Sequence, residues 1–489
     1  MEWERIYMIH YEIKKRPGCP GEFSYDLKAL ALDFYPEKGC EVMEREDWAD
    51  RKGYPLVCCI DGEETLSVTL PEGYNKNSVK SALYEMFSKR TGIHLPWGIL
   101  TGIRPAKIPL RLLWEGHSRE EIEEILEKEY RMDERKISLS VDIAEKEDAL
   151  TSRFRHENGY NIYIGIPFCP SICQYCSFSS FPYEKYKKLA DDYLTALEKE
   201  MKFTGEFFSE RPLHTIYVGG GTPTSLNEMQ LGRLMDMIHR YLPVGQAVEF
   251  TVEAGRPDSI TKEKLLLMKK AGVTRISINP QTMKQHTLEL LGRRHTVEQV
   301  KDAFYLARET GFDNINMDLI VGLPEEDEVD FMNTINRIRE MDPDSVTVHT
   351  LVIKRASRMR REQMESGSDI RPEDTMIPFL QMESEDYLRN LGYEPYYMYR
   401  QKNKAGTSRN TNQENVAYAK PGKECLYNIF IMEELETIVA LGCGGSTKQV
   451  FTGGNRMERI ENIKGVEEYI ARIDEMIERK RTAFSESGW

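Results

Sequence analysis

The densest chemistry in this sequence is the stretch "CPSICQYC", in which Cys169, Cys173 and Cys176 stand in a C-x3-C-x2-C arrangement. The chain has 489 residues and 9 cysteines, so three thiols in one short run are a concentration that asks for a reason. Thiolates at this spacing can wrap one face of a metal cluster. Three of them leave one iron of a [4Fe-4S] cube without a protein ligand, and that iron is a place for chemistry. A structural zinc site would need a fourth Cys or His close by. No His lies near in the local sequence, and Ser177 and Phe178 follow the triad. A chance grouping of buried cysteines is the remaining alternative.

Other residues suit ligand binding. In "GGGTPT", Gly219, Gly220 and Gly221 let a backbone approach a ligand with no Cβ in the way, although a tight strand-to-helix turn explains them equally well. Glu253 closes the otherwise apolar run "EFTVEAG"; its alternative is a salt-bridged residue at the core edge. Lys354, Arg355, Arg358, Arg360 and Arg361 crowd into "IKRASRMRR", and Arg400, Lys402, Lys404 and Arg409 into "YRQKNKAGTSR". In a chain of net charge −14 these runs suit a substrate with several carboxylates. A solvated helix face is the alternative for any one of them. Cys425 and Cys443 read as reactive thiols or core residues, with Cys443 of "LGCGG" packed against a turn.

The elements that must position these groups follow from periodicity. From Asn161 on, the β-rich runs "NIYIGIPF", "HTIYVGGG", "AVEFTVEAG", "TRISINPQ", "NINMDLIVGLP" and "SVTVHTLVI" alternate with helical ones such as "NEMQLGRLMDMIHRYL", the pattern of parallel βα units. Six strands with polar or glycine-rich signals after several of them predict a full or partial TIM-like barrel, its active site at the strand C-termini. The cysteine motif directly follows the first strand. Residues 1–155 read as a small α/β region in which "PLVCCIDG" and "ETLSVTLP" may pair as a hairpin. Its stretch "LPWGILTGIRPAKIPLRLLWEG" carries the basic pair Arg104 and Lys107. After about residue 395 the regularity fades into a polar, aromatic, turn-rich segment.

With 40% hydrophobic and 30% charged residues, the composition is that of a globular protein of two or three domains. No apolar run approaches the roughly 20 residues needed to span a bilayer, and the first residues lack a basic-then-apolar leader. The expectation is a soluble cytoplasmic protein with reduced thiols. The acidic balance gives no support to a general affinity for nucleic acid or anionic lipid.

Taken together, "YIGIPFCPSICQYCSF", "YVGGGTPTSL", "VEAGRPDSIT", "ISINPQT", "LGRRHT" and "MDLIVGLP" resemble the radical S-adenosylmethionine (SAM) superfamily, motif by motif over about residues 160–370. Within it, the match is to the oxygen-independent coproporphyrinogen III oxidase-like group. "LTGIRPAKI" and "YRQKN…ENVAYAKPGKECLYN" resemble the HemZ-type coproporphyrinogen dehydrogenase branch. The resemblance implies an α/β fold with a radical SAM (β/α)6 partial TIM-like barrel at 156–395, a small N-terminal α/β domain with a linker helix at 1–155, and a C-terminal α+β region at 396–489 covering the substrate. It implies a [4Fe-4S] cluster on Cys169, Cys173 and Cys176, and SAM held around Gly220, Gly221, Thr222, Glu253, Gln281, Arg293 and Asp318. Either Arg293 or its neighbour Arg294 is the inward guanidinium. Tyr163, the implied catalytic residue, would lie beside the SAM sulfonium, where an aromatic face meets a cation. Tyr175 would flank the adenine, with Ile320 packed on it.

The activity implied is oxidative decarboxylation of two propionates of coproporphyrinogen III to vinyls, giving protoporphyrinogen IX in haem biosynthesis. A 5′-deoxyadenosyl radical abstracts a propionate β-hydrogen, with electrons from a donor such as flavodoxin or ferredoxin. A different radical SAM reaction on a tetrapyrrole and a haem chaperone are the rival readings. Two departures from the group are noted: Gly165 replaces a histidine two residues after Tyr163, and Phe178 replaces a fourth cysteine.

Overall fold

In the computed structural model the described residues are 8–14, 24–36, 38–45, 54–61, 63–70, 73–154, 158–351, 359, 376–400, 414–451 and 456–487. The chain forms two compact units. One comprises Met1–Lys146, Glu373–Pro378 and Met398–Glu414, the other Glu147–Pro372, Phe379–Tyr397 and Asn415–Trp489.

In the first unit, strands β1 (Met8–Lys14), β2 (Gly39–Arg45), β3 (Tyr54–Ile60) and β4 (Glu63–Leu70) make a sheet in the order β2-β1-β3-β4, and β3 and β4 pair antiparallel in the hairpin that their sequence suggests. Leu56, Cys58 and Ile60 of β3 pack with Leu27 and Leu30 of the helix Ser24–Phe34 and with Leu83 and Phe87 of the helix Lys76–Thr91. The latter starts on an Asn75/Ser78 capping box and stops at Gly92, whose φ of 70° no β-carbon residue adopts readily. Trp97, buried, donates its indole N–H to Glu414 at 2.7 Å, and Lys136 pairs with the same carboxylate at 2.8 Å.

The second unit contains the barrel sheet. Strands β5 (Tyr160–Ile166), β8 (Leu213–Gly220), β9 (Glu249–Gly255), β10 (Arg275–Ile278), β11 (Ile315–Val321) and β12 (Ser345–Thr350) lie side by side in chain order, all parallel. Helices such as Ala190–Phe207, Glu228–Tyr241 and Val297–Glu309 connect them. Two short strands, β6 (Phe168–Cys169) and β7 (Phe181–Pro182), pair with each other and pinch the base of the cysteine loop.

Side chains alternate across each strand. One set is apolar and buried: Ile162 and Ile164, Ile216 and Val218, Phe250 and Val252, Met317 and Leu319, Val346 and Val348. The other set is polar and lies in register from strand to strand. Tyr163 is level with Tyr217 and Thr251, Glu253 with Ser277, and Asp318 with Thr347. A barrel whose inner set is polar is lined for a ligand rather than filled as a core.

Residues 396–489, expected to form a covering region, join this sheet at both edges. β14 (Glu414–Ala419) pairs antiparallel with β12 and carries β13 (Glu394–Arg400) beyond it; β15 (Thr437–Leu441) runs parallel to β5, followed by antiparallel β16 (Ser446–Val450) and β17 (Met457–Glu461). Among the described residues no helix is long and apolar enough to cross a membrane.

Candidate active site

The cysteine loop leaves the C-terminal end of β5 and folds over the barrel ends. Cys173 is buried, Cys169 and Cys176 half-buried, and the Cys176 amide donates to the Cys173 carbonyl at 3.1 Å, winding the last turn of the triad. The Thr222 hydroxyl lies 3.6 Å from the Cys169 sulfur, and the Arg293 guanidinium 3.7 Å from that of Cys173. Burial pushes the Cys169 thiol up to about 11, against the pull of Thr222. Metal binding would displace that proton. Among the described residues no group of three His, Cys, Asp or Glu side chains is arranged to hold a single ion. A four-iron cube takes each thiolate on a different iron, which needs a wider bowl.

The glycine turn is shaped by close approach. A β-carbon on Gly221 would stand 2.5 Å from the Phe168 carbonyl oxygen and 3.0 Å from the Cys169 sulfur; one on Gly219 would meet the Glu253 carboxylate at 3.0 Å. Gly220, at φ 108°, comes beside the Tyr163 hydroxyl. Only glycine fits such positions.

Glu253 accepts a hydrogen bond from the Tyr217 hydroxyl. Burial pushes its carboxyl up to about 7, Tyr217 pulls it down and the nearby Asp318 raises it again. Asp318 is held the other way. Burial would raise its carboxyl, but His349, with Nε2 3.7 Å away, and the Asn316 amide at 2.7 Å keep it below the usual carboxylate range. His349 is itself lifted above its usual value by Asp318 and by Asn415 at 3.1 Å, despite burial that lowers it. Gln281 is buried in the left-handed region at φ 68°, its amide bonded to the Asp318 carbonyl and its own carbonyl accepting from Ile320. Its side-chain amide has no partner among the described residues. A strained, buried, unengaged side chain at a strand end is a mark of function.

These contacts close into a ring. Cys169 touches Thr222 and Gly221, Gly220 touches Tyr163, Gly219 faces Glu253, and Glu253 senses Asp318. Asp318 bonds Gln281, which bonds Ile320, and Tyr175 packs on the cluster containing Ile320 and Leu291. Arg293 then joins the Tyr175 hydroxyl at 3.3 Å to Cys173. All thirteen residues predicted for the cluster and SAM therefore meet at one end of the barrel. Of the two arginines, Arg293 is buried and inward while Arg294 is exposed. Arg293 Nε is buried without a partner among the described residues, a donor still to be satisfied.

The residues present thus fit the two cofactors: a three-thiol loop, a buried guanidinium beside it, a glycine cradle and the carboxylates of Glu253 on β9 and Asp318 on β11. Gly165 lies where a β-carbon would come within 3.3 Å of the Leu441 carbonyl, so the loop after β15 occupies the space beside it. Phe178 is 72% exposed.

Other expectations fall elsewhere. Arg400 is buried, donates to the Leu100 carbonyl at 2.6 Å and stacks over Trp97, so it serves the first unit's packing and is not a free cation for substrate. Lys354, Arg355, Arg358, Arg360, Arg361, Lys402, Lys404 and Arg409 lie outside the described residues. Cys425 is a core thiol against Glu249, and Cys443 is buried in its turn with its amide on the Tyr193 hydroxyl. Sequence reasoning missed Tyr217, His349 and Tyr427. Tyr427 stacks on Tyr217 at 4.4 Å and lies 6.3 Å from Tyr163, giving the interior an aromatic wall. The period-2 alternation "HTIYVGG" and "SVTVHT" was the signal for Tyr217 and His349; Tyr427 had none.

A parallel barrel with a three-cysteine loop at its strand ends defines a radical SAM protein, and the pattern of the radical SAM superfamily matches residues 163–338. The chain is 39% identical over 409 residues to the oxygen-independent coproporphyrinogen-III oxidase-like protein HemZ of Bacillus subtilis, covering 83% of this chain and 80% of that one. It belongs to this oxygen-independent coproporphyrinogen III oxidase-like family of radical SAM proteins, whose cofactors are a [4Fe-4S] cluster and SAM. It is also 44% identical over 193 residues to the heme chaperone HemW of Bacillus subtilis, across 39% of this chain and 50% of that one. The solved structure of Escherichia coli coproporphyrinogen III oxidase, HemN, matches with TM-score 0.53 at 24% identity over 67% of this chain and 71% of that one, a likeness of fold.

Proposed function

We propose that this chain catalyses the oxidative decarboxylation of coproporphyrinogen III propionates to vinyl groups, giving protoporphyrinogen IX. The observation that carries the reading is extent and identity together: the HemZ relative is 39% identical over 83% of the chain, whereas the HemW relatives cover 39–62% of it, the longer matches at 26–28% identity. In this reading Cys169, Cys173 and Cys176 hold the cluster, and Glu253, Gln281, Arg293 and Asp318 bind the polar groups of SAM. Gly220, Gly221 and Thr222 cradle its amino-acid end, while Tyr175 and Ile320 sandwich its adenine. Tyr163, backed by Tyr217 and Tyr427, presents an apolar aromatic wall to the reacting centre. When bound, the cluster and SAM supply one-electron cleavage that yields a radical able to take a hydrogen atom from carbon. Each propionate gives one β-hydrogen atom to that radical, then loses CO2 and passes one electron to an external one-electron acceptor, and becomes a vinyl; a reduced donor protein such as flavodoxin or ferredoxin supplies the cleavage electron. The curved sheet, extended by strands at both edges, keeps water from the radical.

A second reading, haem binding for delivery, is favoured by the 44% identity to HemW over 193 residues. An anaerobic incubation of cluster-loaded protein with SAM, dithionite and coproporphyrinogen III separates the two. The proposal expects 5′-deoxyadenosine together with two successive losses of a formic acid equivalent from the tetrapyrrole mass. Stable stoichiometric haem binding with an unchanged porphyrinogen mass supports the second reading and overturns the first.

A further inference from the structure

Ser171 lies between the first two cysteines, and one buried side chain holds it from two sides. Arg256 is 3% exposed and follows Gly255, whose φ of 63° turns the chain beyond β9. Its Nη1 donates to both the carbonyl oxygen of Ser171 at 3.1 Å and the hydroxyl at 2.5 Å. Its Nε and Nη2 form a two-pronged pair with Asp258 at 2.9 and 2.6 Å. Ser171 passes the connection on, donating to the Gly292 carbonyl at 3.1 Å, one residue before Arg293.

A fork-to-fork pair fixes the plane of a guanidinium as well as its place, which a lysine cannot do. With two prongs locked on Asp258, the remaining donors point in a set direction, and Ser171 has to sit there. The loop is thereby ordered by groups that are not ligands, so metal binding need not bear the whole cost of ordering it. Arg256 is outside the ring of contacts described above and hydrogen-bonds neither a cysteine sulfur nor Glu253 among the described residues; its charge also draws the Cys169 thiol down, as a group beside the loop would.

We infer that Arg256, aligned by Asp258, is a positioning residue for the cluster loop, setting Ser171 so that Cys169 and Cys173 face the cluster before it is bound. The inference rests on the reading that Cys169, Cys173 and Cys176 are the ligands.

The test uses the full chain, loaded anaerobically with iron and sulfide, in four forms: wild type, C169A/C173A/C176A, R256K and S171A. Iron loss to a chelator, alkylation of the metal-free cysteines and the unfolding temperature are read on each. R256K should release iron about 10-fold faster or more, the range found when groups that orient ligands are removed. S171A, which deletes only a hydroxyl, should release it faster than wild type with an unchanged unfolding temperature. In both, Cys169 and Cys173 should alkylate faster than in wild type, a change that lost stability alone does not confine to this loop. Iron release and alkylation equal to wild type in both variants overturns the inference. If R256K does not fold, S171A decides by the same criteria. If the triple cysteine variant loads iron as wild type does, the ligand reading itself has failed, which is distinct from failure of the brace.

Discussion

Two buried polar clusters of the barrel unit are built to opposite ends. Around Glu200 every demand is met. Its carboxylate receives Lys480 at 2.6 Å, Asn462 at 2.8 Å, the Gly442 amide at 2.8 Å and the Tyr469 hydroxyl, and both Glu200 and Lys480 are fully buried. At the mouth, Arg293 Nε, Asn279 Oδ1, Ser277 Oγ and both ring nitrogens of His295 have no hydrogen-bond partner among the described residues, and burial raises the Glu253 carboxyl to about 7. The first cluster ties the helices Ala190–Phe207 and Ile473–Glu486 to the turn after β15, and a satisfied network holds a structure in place. The second has bonding capacity left over, which is what a site awaiting ligands needs.

The contrast can be broken from either side. The largest effect is at the mouth: C169A/C173A/C176A should reduce bound iron to background and abolish SAM cleavage, while the metal-free chain folds, as read by iron assay and deoxyadenosine yield. At the satisfied cluster, K480M leaves the Glu200 charge in the core without its counter-ion, costing about 3–5 kcal/mol by denaturant unfolding. The double variant E200M/K480M should recover only part of that loss, because it removes the unpaired charge but leaves the buried Gly442 amide and Tyr469 hydroxyl without their acceptor.

Glu253 gives a subtler effect with a defined sign. Its carboxyl is raised in the folded chain, from about 4.5 to about 7, so the native state holds the proton more tightly than the unfolded one. Its contribution to stability is therefore present on the acid side and lost as pH rises through that window. Binding runs oppositely, since only the ionised carboxylate is a pure acceptor. SAM affinity should climb as pH rises toward 7, by at most about tenfold per unit, then level off; E253Q should flatten both dependences. The smallest effect sharpens this one. Y217F removes the hydroxyl bond that pulls Glu253 down, so the midpoint of the SAM affinity profile should move upward, by less than about one unit.

The six strands were legible because each carries a β-rich run bounded by helical ones, and the cysteine triad because metal ligands are local in sequence. Glu253 and Asp318 could be placed on their strands, although Asp318 stands in the middle of β11 rather than at the end its sequence suggests, and their opposite acidities could not be read. Those depend on Tyr217 and His349, which strand register brings near, and on Asn316, two residues before Asp318 on the same strand. β15 escaped notice because it pairs with β5 from the far end of the chain, where "ETIVALGCGG" has no βα context. Arg400 was misread for a related reason. A basic run in sequence does not disclose that Trp97 and the Leu100 carbonyl, three hundred residues earlier, take up one of its cations. Arg256 shows the same limit in reverse, since "GRPDS" offers no sign that its arginine reaches under the cysteine loop.

The central claim is that this barrel mouth removes hydrogen from a propionate β-carbon, and label transfer tests it most directly. Coproporphyrinogen III deuterated at the propionate β-carbons, turned over anaerobically with SAM by the cluster-loaded chain, should give 5′-deoxyadenosine carrying one deuterium and vinyl products lacking one. Deoxyadenosine that remains unlabelled while the substrate is recovered intact would contradict the account.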